Sequence, residues 1–184
     1  PLLTSVAATA QPIVGGSTTK PGEYPDVVAV LADDGACTGT LIAPDVVVTA
    51  GHCADPAPTT VRLNTTDYAG NGGITARVQS ITAYPNWEST YDIAVIKLTA
   101  PVAGVTPRKV ATACTYQTGW NNGSQVHLVG FGAIDTQAQG NNSRLYEVNV
   151  PLTDAMCANG NGCQAAVSPA GEFAAGGNGK DSCF

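Results

Sequence analysis

Short apolar runs, each closed by a turn, set the limits on how this chain folds. Val27 to Leu31 is one such run, and Asp33-Asp34-Gly35 follows it as a hairpin turn signal. Cys37-Thr38-Gly39-Thr40-Leu41-Ile42 starts the next strand, and Ala43-Pro44-Asp45 turns it into Val46 to Thr49. Ala76 to Ala83 alternates well enough for a strand, and Val126 to Gly130 and Leu145 to Leu152 read as strands further on. The 21 glycines and 12 prolines supply the turns, and charged residues make up only 12% of the 184. That balance suits many strands and argues against a helical bundle. No apolar run approaches the length of a membrane span. No self-similarity recurs at the spacing of a solenoid or propeller. A formal net charge of -6 and a pI near 4.6 argue against nucleic-acid binding, which needs a basic face.

Chemistry enters at Thr49-Ala50-Gly51-His52-Cys53, which follows the apolar run Val46-Val47-Val48. A histidine stands at the end of a buried strand, and its small neighbours Ala50 and Gly51 let other groups approach the imidazole closely. A lone histidine is usually a packed or surface residue. Here it has company: Asp92 heads another apolar run, Tyr91-Asp92-Ile93-Ala94-Val95-Ile96-Lys97-Leu98. An acid at a strand end is often a mere cap, but a His and an Asp at the mouths of two buried strands can meet over one cleft. The second histidine, His127, alternates along a strand with no motif around it and reads as structural. Six cysteines beside one methionine suggest an oxidising compartment. No cysteine pair has the two-residue spacing of a zinc site and only two histidines exist, so no metal and no cofactor are expected.

These residues resemble the trypsin/chymotrypsin-like serine proteases. Thr49 to Cys53 is similar to that family's histidine motif, with Gly51 where alanine is more usual, and Asp92 to Leu98 resembles its aspartate motif. Ile13-Val14-Gly15-Gly16 is similar to its mature N-terminus. Gly130-Phe131-Gly132 resembles its Gly-Trp-Gly turn, and Gly179-Lys180-Asp181-Ser182-Cys183 its trypsin-type specificity pocket. The resemblance implies an all-β fold of two antiparallel, six-stranded-type barrels, the first over about 13–100 and the second, incomplete, over about 114–184. Pro101 to Ala113 is read as the linker between them. It implies His52 as general base, Asp92 as its orienting partner, and Asp181 with Ser182 as the pocket that receives Lys or Arg. It also implies that the freed amine of Ile13 inserts into the protein, and that Cys37 and Cys53, 16 positions apart, form the histidine-loop disulfide. Some relatives bind calcium in the loop comparable to residues 54–73. Of the two acids there, Asp55 and Asp67, only Asp67 is read as a firm oxygen ligand, too few for a site.

Cys157 and Cys163 enclose Ala-Asn-Gly-Asn-Gly, a segment able to close a small local disulfide. This departs from the family, which pairs a cysteine here with one just before the pocket, where this chain has Ala174 or Ala175. Residues 1–12 read as the remnant of a signal or pro-segment. Ala8-Thr9-Ala10 has the small-x-small form of a signal-peptidase site, and an ordinary flexible pro-segment is an equal reading. No Lys or Arg precedes Ile13, so activation by self-cleavage is in doubt, and an X-Pro-cutting peptidase removing Gln11-Pro12 is the alternative. Asn64, Asn122 and Asn141 head glycan-acceptor triplets in turn-like stretches.

The family continues beyond its pocket with Gly-Asp-Ser-Gly-Gly, which supplies the nucleophile and the oxyanion donors. No serine of the 184 residues stands in that frame. Cys114 and Cys183 also remain without assigned partners. The expectation is therefore a secreted, extracellular, monomeric serine endopeptidase, cleaving after Arg or Lys and met by protein inhibitors, whose 184 residues alone are inactive. The alternatives are a non-catalytic homologue that binds or regulates a partner, and one chain of a two-chain protease cut after Phe184. Protein or peptide substrates are the expected partners, with no nucleic acid and no membrane.

Overall fold

The computed structural model describes residues 13, 15–33, 35–112, 119–132, 143–159, 163, 172–177 and 179–180. Asp181, Ser182, Cys183, Cys114, Asn141 and residues 1–12 lie outside the described residues. The fold is all-β, with one closed barrel and a second, partial sheet.

The closed barrel is made of β2 (Val27–Ala32), β3 (Gly35–Ala43), β4 (Val46–Thr49), β5 (Thr60–Leu63), β6 (Ile74–Ala83) and β7 (Ala94–Leu98), in the order β2-β3-β4-β7-β6-β5. Each strand presents alternate residues to the interior, because successive side chains point to opposite faces. In β7, Ala94, Ile96 and Leu98 are buried while Val95 and Lys97 are exposed. Val28, Val30, Leu41, Val47, Val61, Leu63, Ile96 and Leu98 fill the barrel. Gly39 is required where β3 crosses this core: a Cβ there would stand 2.7 Å from Val47 Cγ1 and 2.9 Å from the Val48 carbonyl oxygen.

The second sheet contains β1 (Ser17–Thr18), β8 (Gln125–Gly130), β9 (Tyr146–Asp154) and β10 (Ala174–Ala175). Strand β9 pairs antiparallel with each of the other three. The unbroken apolar run of β2 has a cause in this arrangement. Val28 and Val30 face the barrel interior, whereas Val27 and Ala29 pack with Phe131 and Leu145 from the second half. A strand covered on both faces has no solvent side to make polar. Thr38 in β3 adds a polar tie, its Oγ1 accepting the Phe131 N–H at 2.8 Å.

Two features differ from the sequence reading. The stretch 54–73 looks turn-rich and polar in the sequence and is compared there only with a calcium loop, yet it contains β5, whose Thr-Val-Arg-Leu buries Val61 and Leu63. Four alternating residues between Pro58 and Asn64 are too short a signal to stand out. The stretch after Pro101 is more than a tether: Val102 and Val105 join the barrel core, and the Arg108 N–H donates to the Leu41 carbonyl at 2.8 Å. No helix among the described residues is long and apolar enough to cross a membrane.

Candidate active site

The pairing of β4 with β7 decides where His52 and Asp92 go. The strands are antiparallel and Thr49 lies opposite Ala94. The chain leaving β4 and the chain entering β7 are therefore at the same end of the barrel. Three residues beyond Thr49 and two before Ala94, His52 and Asp92 meet. His52 lies in a one-turn 3-10 helix, η1 (Gly51–Ala54), whose Cys53 is bonded to Cys37 of β3. Thr49 is buried and its hydroxyl donates to the Thr38 carbonyl at 2.9 Å, which fixes the strand end from which η1 departs.

Asp92 holds His52 at two points. Its Oδ2 lies 2.8 Å from His52 Nδ1, and its Oδ1 accepts the His52 backbone N–H at 2.8 Å. A carboxylate only accepts, so the ring proton sits on Nδ1 and the lone pair on Nε2. Burial alone would raise the Asp92 pKa. The His52 side chain, the His52 and Gly51 N–H groups and the imidazole's charge outweigh burial and hold it below the ordinary carboxylate value. Both side chains remain well exposed, at 38% for His52 and 45% for Asp92. The arrangement can accept a proton at Nε2 and stabilise the resulting cation through the aspartate.

One group was not foreseen. Trp87 begins a second 3-10 turn, η2 (Trp87–Ser89), and its ring centroid lies 6.3 Å from that of His52. In the sequence, Tyr84-Pro85-Asn86-Trp87 reads as a surface turn leading into the Asp92 strand, with Trp87 a packing residue. The one sequence sign of this closeness is the glycine at 51, where related motifs carry alanine.

The other candidate residues fall as follows. Ile13 is 3% exposed and packs with Val148 and Val150 of β9. Close by, a Cβ on Gly15 would stand 2.8 Å from the Gly179 carbonyl oxygen and from Lys180 Cγ, so Gly15 abuts Gly179 and Lys180. Asp181 and Ser182 themselves lie outside the described residues. Cys157 is bonded to Cys163. Cys37, His52 and Cys53 bring their donor atoms within 4.8 Å of one another, but both sulfurs are in the disulfide and neither is a thiolate able to ligate a metal. In the loop compared with calcium sites, the Arg62 guanidinium donates to the carbonyls of Tyr68, Gly70 and Gly72. No local pattern announces that a cation of the chain itself gathers these oxygens.

A six-stranded barrel carrying an oriented His–Asp pair at one end, with a second sheet packed against it, defines a protein of the chymotrypsin-like class. Comparison with known proteins gives the family. The family model described as Trypsin matches residues 13–184. The chain is 33% identical to a trypsin of Saccharopolyspora erythraea over 61% of this chain and 57% of that protein. It is 29% identical to trypsin Blo t 3 of Blomia tropicalis over 93% of this chain and 68% of that protein. It is 33% identical to brachyurin of Leptuca pugilator over 76% of this chain and 64% of that protein. The chain belongs to the trypsin family of serine proteases. It spans between about half and two thirds of the length of most of the curated relatives it matches, and about a quarter of one of them.

Proposed function

We propose that the protein is a secreted serine endopeptidase that cleaves peptide bonds after Arg or Lys. The observation that carries the proposal is the doubly held His52–Asp92 pair, which leaves Nε2 as the basic nitrogen. In the proposed reaction Nε2 takes the proton from a serine hydroxyl as the oxygen attacks the scissile carbonyl. It later returns that proton to the leaving amine. Asp92 keeps the ring in the productive tautomer and stabilises the imidazolium between the two transfers. The division of labour is the family's known one. Asp181 is proposed as the base of the primary pocket, where its carboxylate attracts a guanidinium or ammonium by a charge-assisted hydrogen bond. Ile13 is proposed as the activating N-terminus, a role its burial against β9 supports.

The nucleophile and the oxyanion donors are assigned to a Gly-Asp-Ser-Gly-Gly segment that the 184 residues do not contain. The 184-residue chain by itself is accordingly proposed to be inactive. Secretion is supported by two disulfides, which persist in oxidising compartments. The residue ranges proposed for the two barrels are about 13–100 and 114–184. The proposal is tested with the protein expressed from its complete reading frame, assayed on matched Arg, Lys and Phe ester substrates. A strong preference for Arg and Lys that is lost in Asp181→Ser supports the reading. Equal rates on Arg and Phe would exclude the pocket assignment.

A further inference from the structure

We propose that Trp87 is a positioning residue for the His52–Asp92 pair, seated in the volume that a side chain at residue 51 would need. The proposal rests on the reading of that pair as the protease's proton-handling groups. Gly51 is buried, directly before His52. A Cβ built there would stand 2.8 Å from Trp87 Cβ, 2.9 Å from Trp87 Cγ and 3.0 Å from Asp92 Oδ1. The Trp87 Cβ is fixed by its backbone, so no turn of the indole clears it. Only a shift of the backbone at residue 51 or at Trp87 would.

That backbone is held. Asn86 takes a left-handed conformation, φ 56°, which asparagine tolerates better than most residues and which turns the chain back toward the site. The Asn86 carbonyl accepts the Ser89 N–H at 2.9 Å and the Thr90 hydroxyl at 2.8 Å, and the Pro85 carbonyl lies 2.8 Å from the same hydroxyl. The root of Trp87 is thus anchored from behind while Gly51 admits it from the front. Its indole is tilted beside the imidazole, at 59° between ring planes and 6.3 Å between centroids. In the proposed arrangement the ring shields one side of the Nδ1–Oδ2 hydrogen bond, whose two partners stay 38% and 45% exposed elsewhere. A lower local dielectric strengthens such a bond, and the ring restricts the swing of the imidazole. Residue 51 and residue 87 are then two halves of one device: the glycine is needed because the tryptophan is there.

A packing role alone predicts additive losses, and the device predicts compensation. The test uses the protein expressed from its complete reading frame, with Gly51→Ala, Trp87→Gly, the double variant and Trp87→Phe. Gly51→Ala is expected to lower kcat by about 10- to 100-fold with little change in KM, the size of loss that a misplacement near 1 Å produces. The double variant, which clears both root atoms, is expected to recover much of that loss. A readout independent of turnover is the His52 Nδ1 proton in the NMR spectrum: its exchange with water is expected to speed up in Trp87→Gly and to slow again in Trp87→Phe. Unchanged kcat in Gly51→Ala, a double variant worse than either single one, or unaltered proton exchange in Trp87→Gly would each overturn the proposal. If the parent protein hydrolyses nothing, the protease reading fails on its own, and the exchange measurement still decides on Trp87.

Discussion

Arg108 grips Asp26 with two nitrogens, Nε at 2.6 Å from Oδ2 and Nη2 at 2.8 Å from Oδ1. Asp26 is 4% exposed and stands just before β2, while Arg108 comes from the stretch that leaves the first barrel. The hydrogen bond to Asp26 pushes the Arg108 pKa up. Because the aspartate is buried, its loss of partner matters more than the half-exposed arginine's. Arg108→Ala is expected to lower stability by about 1–3 kcal/mol, read as a fall in the urea midpoint at neutral pH. An unchanged midpoint would show that water solvates Asp26 once Arg108 is gone.

A different tie, through Tyr24, joins the two halves. Its hydroxyl donates to Glu147 Oε2 at 2.5 Å and lies 2.9 Å from His127 Nε2, whose ring places Nδ1 2.8 Å from Asn149 Oδ1. The bond to Glu147, with burial and the carboxylate's charge, raises the Tyr24 pKa to about 12. The folded protein therefore holds this proton more tightly than the unfolded chain, whose tyrosine ionises near the ordinary value of about 10. Its contribution is fully present below that ordinary value and is lost as pH rises toward about 12. Stability should fall over this alkaline window, and the fall should be shallower in Tyr24→Phe. Parallel curves for the two proteins would contradict the assignment.

On the acid side the sign reverses. Asp154 has its pKa lowered by the N–H groups of Asn159 and Ala158, which donate at 2.7 and 2.9 Å. Asp92 is lowered as well: burial opposes the shift, and the His52 and Gly51 hydrogen bonds exceed it. A depressed folded pKa gives stability that is present above the unfolded carboxylate value, about 4, and lost as pH falls through the folded value. Stability should decline steadily below about pH 4, and Asp154→Asn should flatten that decline. The check is the melting temperature followed against pH for both proteins.

The Cys37–Cys53 disulfide closes 16 residues between β3 and η1. Cys37→Ala/Cys53→Ala is expected to cost about 3 kcal/mol, the chain-entropy value for a loop of that size. It should also free the turn that carries His52. Denaturant melts of the double variant under oxidising conditions measure the first effect, and faster exchange of the His52 Nδ1 proton the second.

How much of this was legible in the sequence depends on the span of the cause. His52 and Asp92 could be read as a pair because each sits at the mouth of a strand with a strong apolar pattern, and strand pairing does the rest. Strand β5 was missed because four residues are too few for alternation to show between turn-formers. The two-residue strands β1 and β10 carry no pattern of their own and exist only through pairing with β9. The Trp87–Gly51 contact was not legible: the residues are far apart in sequence, and a glycine shows only that something approaches closely. His127 read correctly as lying on a strand, but its partner Tyr24 is 103 positions away, and nothing local announces it.

The most direct test of the central claim removes the proposed base and its orienting acid. The protein expressed from its complete reading frame is assayed on an Arg ester at neutral pH, beside His52→Ala and Asp92→Asn. Each variant is expected to lose about 10⁴-fold or more in kcat, the magnitude established for this family's own triad, with folding checked by the melting temperature. A folded His52→Ala protein that keeps the parent's rate would contradict the account.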